Sequence, residues 1–260
     1  MDLGLRGRRA LITGGSKGIG LAAAEALAGE GCDVVLVSRT APELEAAQAK
    51  LRAAHQVRVV VRAIDMAVSG GAETLAREFP DIDILVNNAG AIPGGTIEEV
   101  DEPRWRAAWD LKVFGYTDMC RRFYAAMRAR GRGVIVNVIG AAGESPDAAY
   151  IAGSAGNAAL MALTRALGGA APADNLRVVG INPGPILTDR LETLLRRRAL
   201  ETLGDAERWP ETMKDMPFGR AGHAREIGAL VAFLASDLSG YTTGTIVTVD
   251  GGMASKRKAF

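Results

Sequence analysis

Two cysteines in 260 residues are too few for a disulfide framework. Cys32 and Cys120 also stand alone, with no CxxC pair and no histidine-rich neighbourhood, so they read as buried thiols. The two histidines, His55 and His223, have no carboxylate or cysteine at ligand spacing, and no metal site is expected. Charge of either sign is not in surplus: 31 basic and 30 acidic residues leave a net +1, which offers no field for drawing in nucleic acid or an anionic membrane. No run approaches the ~18 consecutive apolar residues of a membrane span. The opening MDLGLRGRRA carries charges where a secretion signal needs an apolar stretch. A small-molecule ligand and a cytoplasmic location are therefore expected. Linkers rich in Pro, Ser or Gly, repeats of solenoid length and low-complexity tracts are also missing, which predicts a single domain over residues 1–260.

What the chain does contain is a regular alternation. Seven short β-branched runs, RRALIT, DVVLVS, VRVVVRAI, DILVNN, GVIVNVI, LRVVGIN and TIVTVD, are separated by longer Ala/Leu-rich stretches. Strands that are apolar along their whole length must be covered on both faces, so the pattern predicts a doubly wound, Rossmann-type α/β fold with a parallel seven-stranded sheet. One helix has legible ends: Asp101 as its cap, Pro103 in its first turn and Gly131 after its last. Within it Trp105, Trp109, Lys112, Tyr116, Met119 and Phe123 recur at helical spacing, which puts Lys112 inside an apolar stripe. Residues 186–220 are too polar for a central layer and read as a helical lid, and Lys256-Arg257-Lys258 reads as a solvated tail.

The first strand runs into Thr13-Gly14-Gly15-Ser16-Lys17-Gly18-Ile19-Gly20 and then into an Ala-rich helix. Glycines at this strand-to-helix turn let the backbone approach a pyrophosphate, while the free amides of the helix start face its charge. The second strand ends Val37-Ser38-Arg39, with no acid to grip a ribose diol. Arg39, Ser38 and Lys17 instead offer a guanidinium fork, a hydroxyl and a second cation to a 2′-phosphate, which favours NADP over NAD.

The TGxxxGIG spacing, together with Asn87-Asn88-Ala89-Gly90 after the fourth strand, resembles the short-chain dehydrogenase/reductase family. The likeness continues through Asp65-Met66, Tyr150, Asn182-Pro183-Gly184, Thr188 and Val249-Asp250-Gly251-Gly252, nearly the whole chain. It implies that Gly14, Ser16, Gly18, Ile19 and Gly20 line the pyrophosphate and ribose. Asp65 and Met66 are then placed at the adenine, Asn87, Ala89 and Gly90 beside the adenosine, and Pro183, Gly184, Ile186 and Thr188 around the nicotinamide. The family also implies assembly into a homo-oligomer, a tetramer or dimer.

In that family a tyrosine exchanges a proton with the substrate oxygen, a lysine four residues on lowers its pKa, a serine steadies the oxygen, and an asparagine on an earlier helix holds a water. This chain keeps Tyr150, but Gly140 falls where the serine is expected, Ser154 where the lysine is, and Lys112 where the asparagine is. Lys112 becomes a candidate for the displaced cation, since a tyrosine with a pKa near ~10 needs one to work at neutral pH. Ser145 or Glu144 is a candidate for the missing hydroxyl, and Asn157, with Tyr150 and Ser154 at i, i+4 and i+7, is expected to share their helix face. The leading expectation is hydride transfer between NADP(H) and a small carbonyl or secondary alcohol. Two others stay open: an NADP-binding sensor or scaffold without turnover, and an epimerase or dehydratase on the same fold.

Overall fold

The computed structural model describes residues 2–256, so Arg257 and Lys258 of the expected tail lie outside the described residues. Strands β1 (Arg9–Thr13), β2 (Asp33–Ser38), β3 (Val59–Ala63), β4 (Ile84–Asn87), β5 (Gly133–Val138) and β6 (Leu176–Pro183) are followed by a short pair, β7 (Ile186–Leu187) and β8 (Gly222–His223), and by β9 (Ile246–Val249). Seven of them form one sheet in the order β3-β2-β1-β4-β5-β6-β9, every pairing parallel, as the apolar runs predict. The order reverses between β1 and β4, and in such sheets the crevice beyond the carboxyl ends of the strands at that point is where ligands settle.

The helices are α1 (Gly18–Gly29), α2 (Ala41–Ala54), α3 (Gly71–Glu78), α4 (Glu102–Trp109), α5 (Gly115–Arg130), α6 (Ile151–Ala170), α7 (Asp189–Leu203) and α8 (Ala224–Ala235). Successive strand residues point to opposite faces. Ile12, Leu36 and Val86 pack with Leu27, Leu44 and Ile227 of α1, α2 and α8, whereas Leu11, Val35 and Leu85 pack with Leu75, Met119 and Phe123 of α3 and α5. Two buried layers thus clamp the sheet, which explains why its strands carry so little polar alternation.

The helix read between Asp101 and Gly131 is present. The Asp101 carboxylate accepts the Arg104 N–H at 2.9 Å, and Gly131 ends the rod in the left-handed region at φ 65°. Its middle is not regular: α4 and α5 are joined by a π turn, Asp110–Phe114, with Lys112 at its centre. The wider turn breaks the 3.6-residue register, so the apolar stripe is continuous only from Tyr116 through Met119 and Phe123, each 1 % exposed. The polar stretch at 186–220 is largely helical, with α7 followed by a 3-10 turn at Ala206–Met213, and the β7–β8 pairing closes the excursion. Among the described residues no helix is long and apolar enough to cross a membrane.

The contact of α1 with α8 is set by a glycine: a Cβ on Gly228 would lie 2.4 Å from the Ala22 carbonyl oxygen. Gly228→Ala must push the helices apart, and a loss of about 1–3 kcal/mol is expected from the shift in a urea unfolding midpoint. An unchanged midpoint would contradict this packing.

Candidate functional site

A cavity of about 620 Å³ opens at the carboxyl ends of β1, β4 and β5, between the glycine loop and α7. Its floor is built by close backbone approach. Gly14 and Gly18 adopt φ values of 65° and 56°, and a Cβ on Gly20 would stand 2.1 Å from the Gly14 carbonyl oxygen, so only glycine allows the turn into α1. The loop is clasped from across the sheet. Thr13 Oγ1 accepts the N–H groups of Asn88 and Ala89 at 2.9 and 3.1 Å, while Asn88 Nδ2 donates to the carbonyls of Thr13 and Gly14 at 3.1 and 3.2 Å. No side chain caps the first turn of α1, which leaves its amides free for an anion.

At one end of the cavity stand Ser16, Lys17, Ser38 and Arg39. The Ser38 hydroxyl is buried without a hydrogen-bond partner, an orphan that a ribose hydroxyl or phosphate oxygen would satisfy. Arg39 is in no ion pair among the described residues, whereas Lys17 is engaged: its Nζ lies 3.0 Å from Glu43, which also accepts the Ser16 hydroxyl at 3.2 Å. The hydrogen bond from Lys17 holds the Glu43 carboxyl below its usual pKa. The strand end lacks an acid, as its sequence says, but the first turn of α2 brings one back to the same place.

The opposite end is made by Lys112, Ile139, Gly140 and Arg190. Lys112 Nζ donates to the Ile139 carbonyl and lies 6.0 Å from the centre of the Tyr116 ring. Its stem crosses Gly90, where a Cβ would be 2.9 Å from Lys112 Cδ. Burial, and then the charge of Arg190, lower the Lys112 pKa to about 8. Arg190 reaches from α7 across the cleft to donate to the Ile92 carbonyl. Beside it is Tyr150, half-buried among Ile92, Ala108, Ala152 and Trp105. Burial raises the Tyr150 pKa, and the charge and side-chain hydrogen bond of Arg190 oppose that rise. Arg190 thus offsets part of the burial at Tyr150, while Lys112 donates to the Ile139 carbonyl.

The expected site residues divide clearly. Gly14, Ser16, Lys17, Gly18, Ile19, Ser38, Arg39, Met66, Ala89, Gly90, Lys112, Pro183, Gly184, Ile186 and Thr188 line the cavity. Gly20 lies behind the loop it permits. Asn87 does not reach the cavity: it is fully buried, and its Nδ2 donates to Asn137 Oδ1 at 2.9 Å beneath the sheet. Asp65 does not line the cavity either, and its carboxylate accepts the Ala67 N–H at 2.9 Å. Ser145 is exposed outside the cavity wall, and Glu144 accepts from Asn182 and Thr248. Ser154 is committed to the preceding loop, accepting the Asp147 N–H at 2.9 Å and donating to the Asp147 carbonyl at 3.2 Å. Tyr150, Ser154 and Asn157 do not share one face, because Tyr150 precedes the first turn of α6 with φ −138° and ψ 43° and its direction is not set by the helix.

Glu43 and Arg190 also line the cavity, and neither carries a local signal in the sequence; Asn88, part of the Asn87–Gly90 motif expected beside the adenosine, lines it in place of Asn87. Asn88 was hidden beside its twin, and only alternation along β4 distinguishes the inward Asn87 from the loop residue. Glu43 and Arg190 sit on helices whose docking no local pattern encodes. Cys32 and Cys120 are buried, and burial pushes both thiols up to about 12. No cluster of potential metal ligands occurs among the described residues.

Comparison with known proteins gives a consistent result. The family model described as enoyl-(acyl carrier protein) reductase matches residues 14–254. Galactitol 2-dehydrogenase (L-tagatose-forming) of Cereibacter sphaeroides is 36% identical over 251 residues, 95% of each chain. Gluconate 5-dehydrogenase of Gluconobacter oxydans is 31% identical, over 96% of this chain and 95% of its own. The crystal structure of L-sorbose reductase from Gluconobacter frateurii, complexed with NADPH and L-sorbose, superposes with a TM-score of 0.92 at 35% identity, covering 99% of this chain and all of that one.

The lowered pKa of Lys112 makes stability depend on pH. Between about 8 and its ordinary 10.5 the folded chain has released a proton that the unfolded chain still holds, so stability contributed at this residue rises with pH across that window. Relative to Lys112→Met, which has no such proton, the wild-type melting temperature should gain ground from pH 7.5 to 9.5. Parallel melting curves at the two pH values would rule the burial out.

Proposed function

The chain belongs to the short-chain dehydrogenase/reductase family, and we propose that it transfers hydride between NADP(H) and a small polyhydroxylated ketone or the matching secondary alcohol, with Tyr150 as acid/base. The observation that carries this reading is one continuous cavity that has an orphaned Ser38 hydroxyl and Arg39 at one end and Lys112 and Arg190 at the other, with Tyr150 beside Arg190 but outside the lining. That span suits an elongated dinucleotide whose 2′-phosphate meets Arg39 and whose pyrophosphate meets the free amides of α1. The substrate class is supported by three relatives, whose named substrates are a polyol, a ketose and a sugar acid.

Bound NADPH supplies the hydride to the carbonyl carbon. The work of the chain is to move the proton and hold charge: Tyr150 gives its phenolic proton to the carbonyl oxygen as the alcohol forms, and recovers one from solvent afterwards. Arg190 favours the phenolate left behind, because an adjacent positive charge stabilises the ionised form. Lys112 adds a second positive charge at the cavity floor, and the Arg190 side chain, lying across the cleft to Ile92, helps keep water out. Assembly as a homo-oligomer in the cytosol belongs to the same reading; the assembly is supported by β9, whose outer side has no neighbouring strand among the described residues, and by Phe114, 58% exposed on the α4–α5 rod.

Three variants and a substrate panel test this. Tyr150→Phe should lower kcat by about 10²–10⁴-fold while NADPH binding, followed by nicotinamide fluorescence, stays within a modest factor. Lys112→Met should likewise keep NADPH affinity and lose turnover; full activity would remove Lys112 from the chemistry. Glu43→Gln frees Lys17 and Ser16 for the 2′-phosphate, so it should tighten NADPH several-fold and NADH hardly at all, and equal tightening of both would contradict the placement of the phosphate. Binding of NADPH with no turnover across a panel of ketoses and keto acids would favour a sensor over an enzyme.

A further inference from the structure

Tyr150 is held by its backbone before α6 begins. The Gly95 N–H donates to the Ala149 carbonyl at 2.7 Å and the Ile151 N–H to the Gly95 carbonyl at 3.3 Å, so the chain on both sides of the tyrosine is pinned to the loop after β4. From there its ring folds back over the first turn of the helix. A Cβ placed on Gly153 would lie 2.0 Å from Tyr150 Cε1, 2.1 Å from Cζ and 2.6 Å from Cδ1. Those are overlaps, and Cζ is the atom that carries the hydroxyl: the phenol occupies the space into which a side chain of residue 153 would project.

From this geometry, and resting on the function proposed above, we infer that Gly153 is a positioning residue. Its missing side chain is the slot that seats the phenol, so Tyr150 works in the register of position 153, and its partner one helical turn on is Asn157. Counting from the tyrosine itself leads to Ser154, but that hydroxyl is spent on both the N–H and the carbonyl of Asp147. Counting four from Gly153 leads to Asn157, on the same helix face. Asn157 is 2% exposed, and its Oδ1 has no hydrogen-bond partner. Its amide group stands against Gly140, where a Cβ would be 2.8 Å from Nδ2, and Gly140 is part of the cavity wall. Lys112 over Gly90, Asn157 against Gly140 and Tyr150 over Gly153 repeat one device: each polar group is admitted by a glycine.

In this register the chain has exchanged two residues rather than lost one. Lysine stands on the α4–α5 rod and asparagine on α6, the reverse of the arrangement that the family resemblance leads one to expect. Tyr150 stands three residues before Gly153 in the chain, and the slot at Gly153 returns its ring to the helix face from which it is needed.

The test is a set of four variants in the full-length protein. Gly153→Ala should expel the ring and lower kcat about 100-fold, as loss of the general acid does, with NADPH affinity within about threefold of wild type. The limb of the pH–rate profile that belongs to the phenol should vanish with it. Tyr150→Ala/Gly153→Tyr, which presents the phenol directly from the slot, should turn over at least about tenfold faster than Tyr150→Ala. A second readout needs no activity: Gly153→Ala should lower the melting temperature in the wild-type background and barely change it in the Tyr150→Ala background, where the slot is empty. Wild-type turnover in Gly153→Ala, no recovery in the double variant, or equal destabilisation in both backgrounds would each overturn the inference. If the wild type reduces no ketone at all, the proposed function fails, and the melting temperatures still decide whether Gly153 seats the ring.

Discussion

The site depends on a clasp between two loops from adjacent strands. Thr13 ends β1 and Asn88 follows β4, and four hydrogen bonds, two between these residues and one each from Ala89 to Thr13 and from Asn88 to Gly14, tie the glycine loop to the loop that carries Ala89 and Gly90. β1 and β4 are neighbours because the strand order reverses there, so the clasp lies at the one place where the sheet opens a crevice. Everything that lines the cavity is located from it. The free amides of α1 point across it, Lys112 crosses Gly90 beside it, and Arg190 closes over the continuation of the same loop at Ile92.

Electrostatics then divides the cavity into two ends of unlike character. At the Arg39 end the charges are solvated, and the Lys17–Glu43 pair, with both partners well exposed, contributes little to stability and much to which groups are free for a ligand. At the Lys112 end the lysine is desolvated, whereas Arg190 is exposed. Among the described residues Lys112 has a carbonyl for a partner and no ion pair, and burial first, then the Arg190 charge, disfavours its ammonium. The same burial disfavours phenolate at Tyr150, and Arg190 is the group that offsets it. Three residues from three different elements thus share one electrostatic problem.

Much of the fold was legible because its signals are local. Apolar runs of β-branched residues mark strands buried on both faces, and all seven lie where the runs are. Asp101 and Gly131 mark the two ends of their helix by capping chemistry that acts within a turn. The glycine loop is legible for the same reason: a backbone that must turn at positive φ and pass within van der Waals contact of itself admits only glycine. Directions of side chains were less so. The π turn around Lys112 costs the periodic reading its register, and Tyr150, outside α6 by one residue, does not follow helical spacing to Ser154 or Asn157. Asn87 and Asp65 were placed by resemblance at the ligand but are used by their own surroundings, one in a buried amide network and one in a turn.

By itself, then, the sequence determined the parallel sheet, the strand-to-helix glycine turn and the set of polar residues available for chemistry, because periodicity, capping and glycine content act over a few residues. Only the tertiary structure decided which of those residues meet. Glu43 beside Lys17, Arg190 beside Tyr150 and the tyrosine ring over Gly153 are contacts between a loop or helix and whatever packs against it, and their energies depend on docking distances that no local pattern carries.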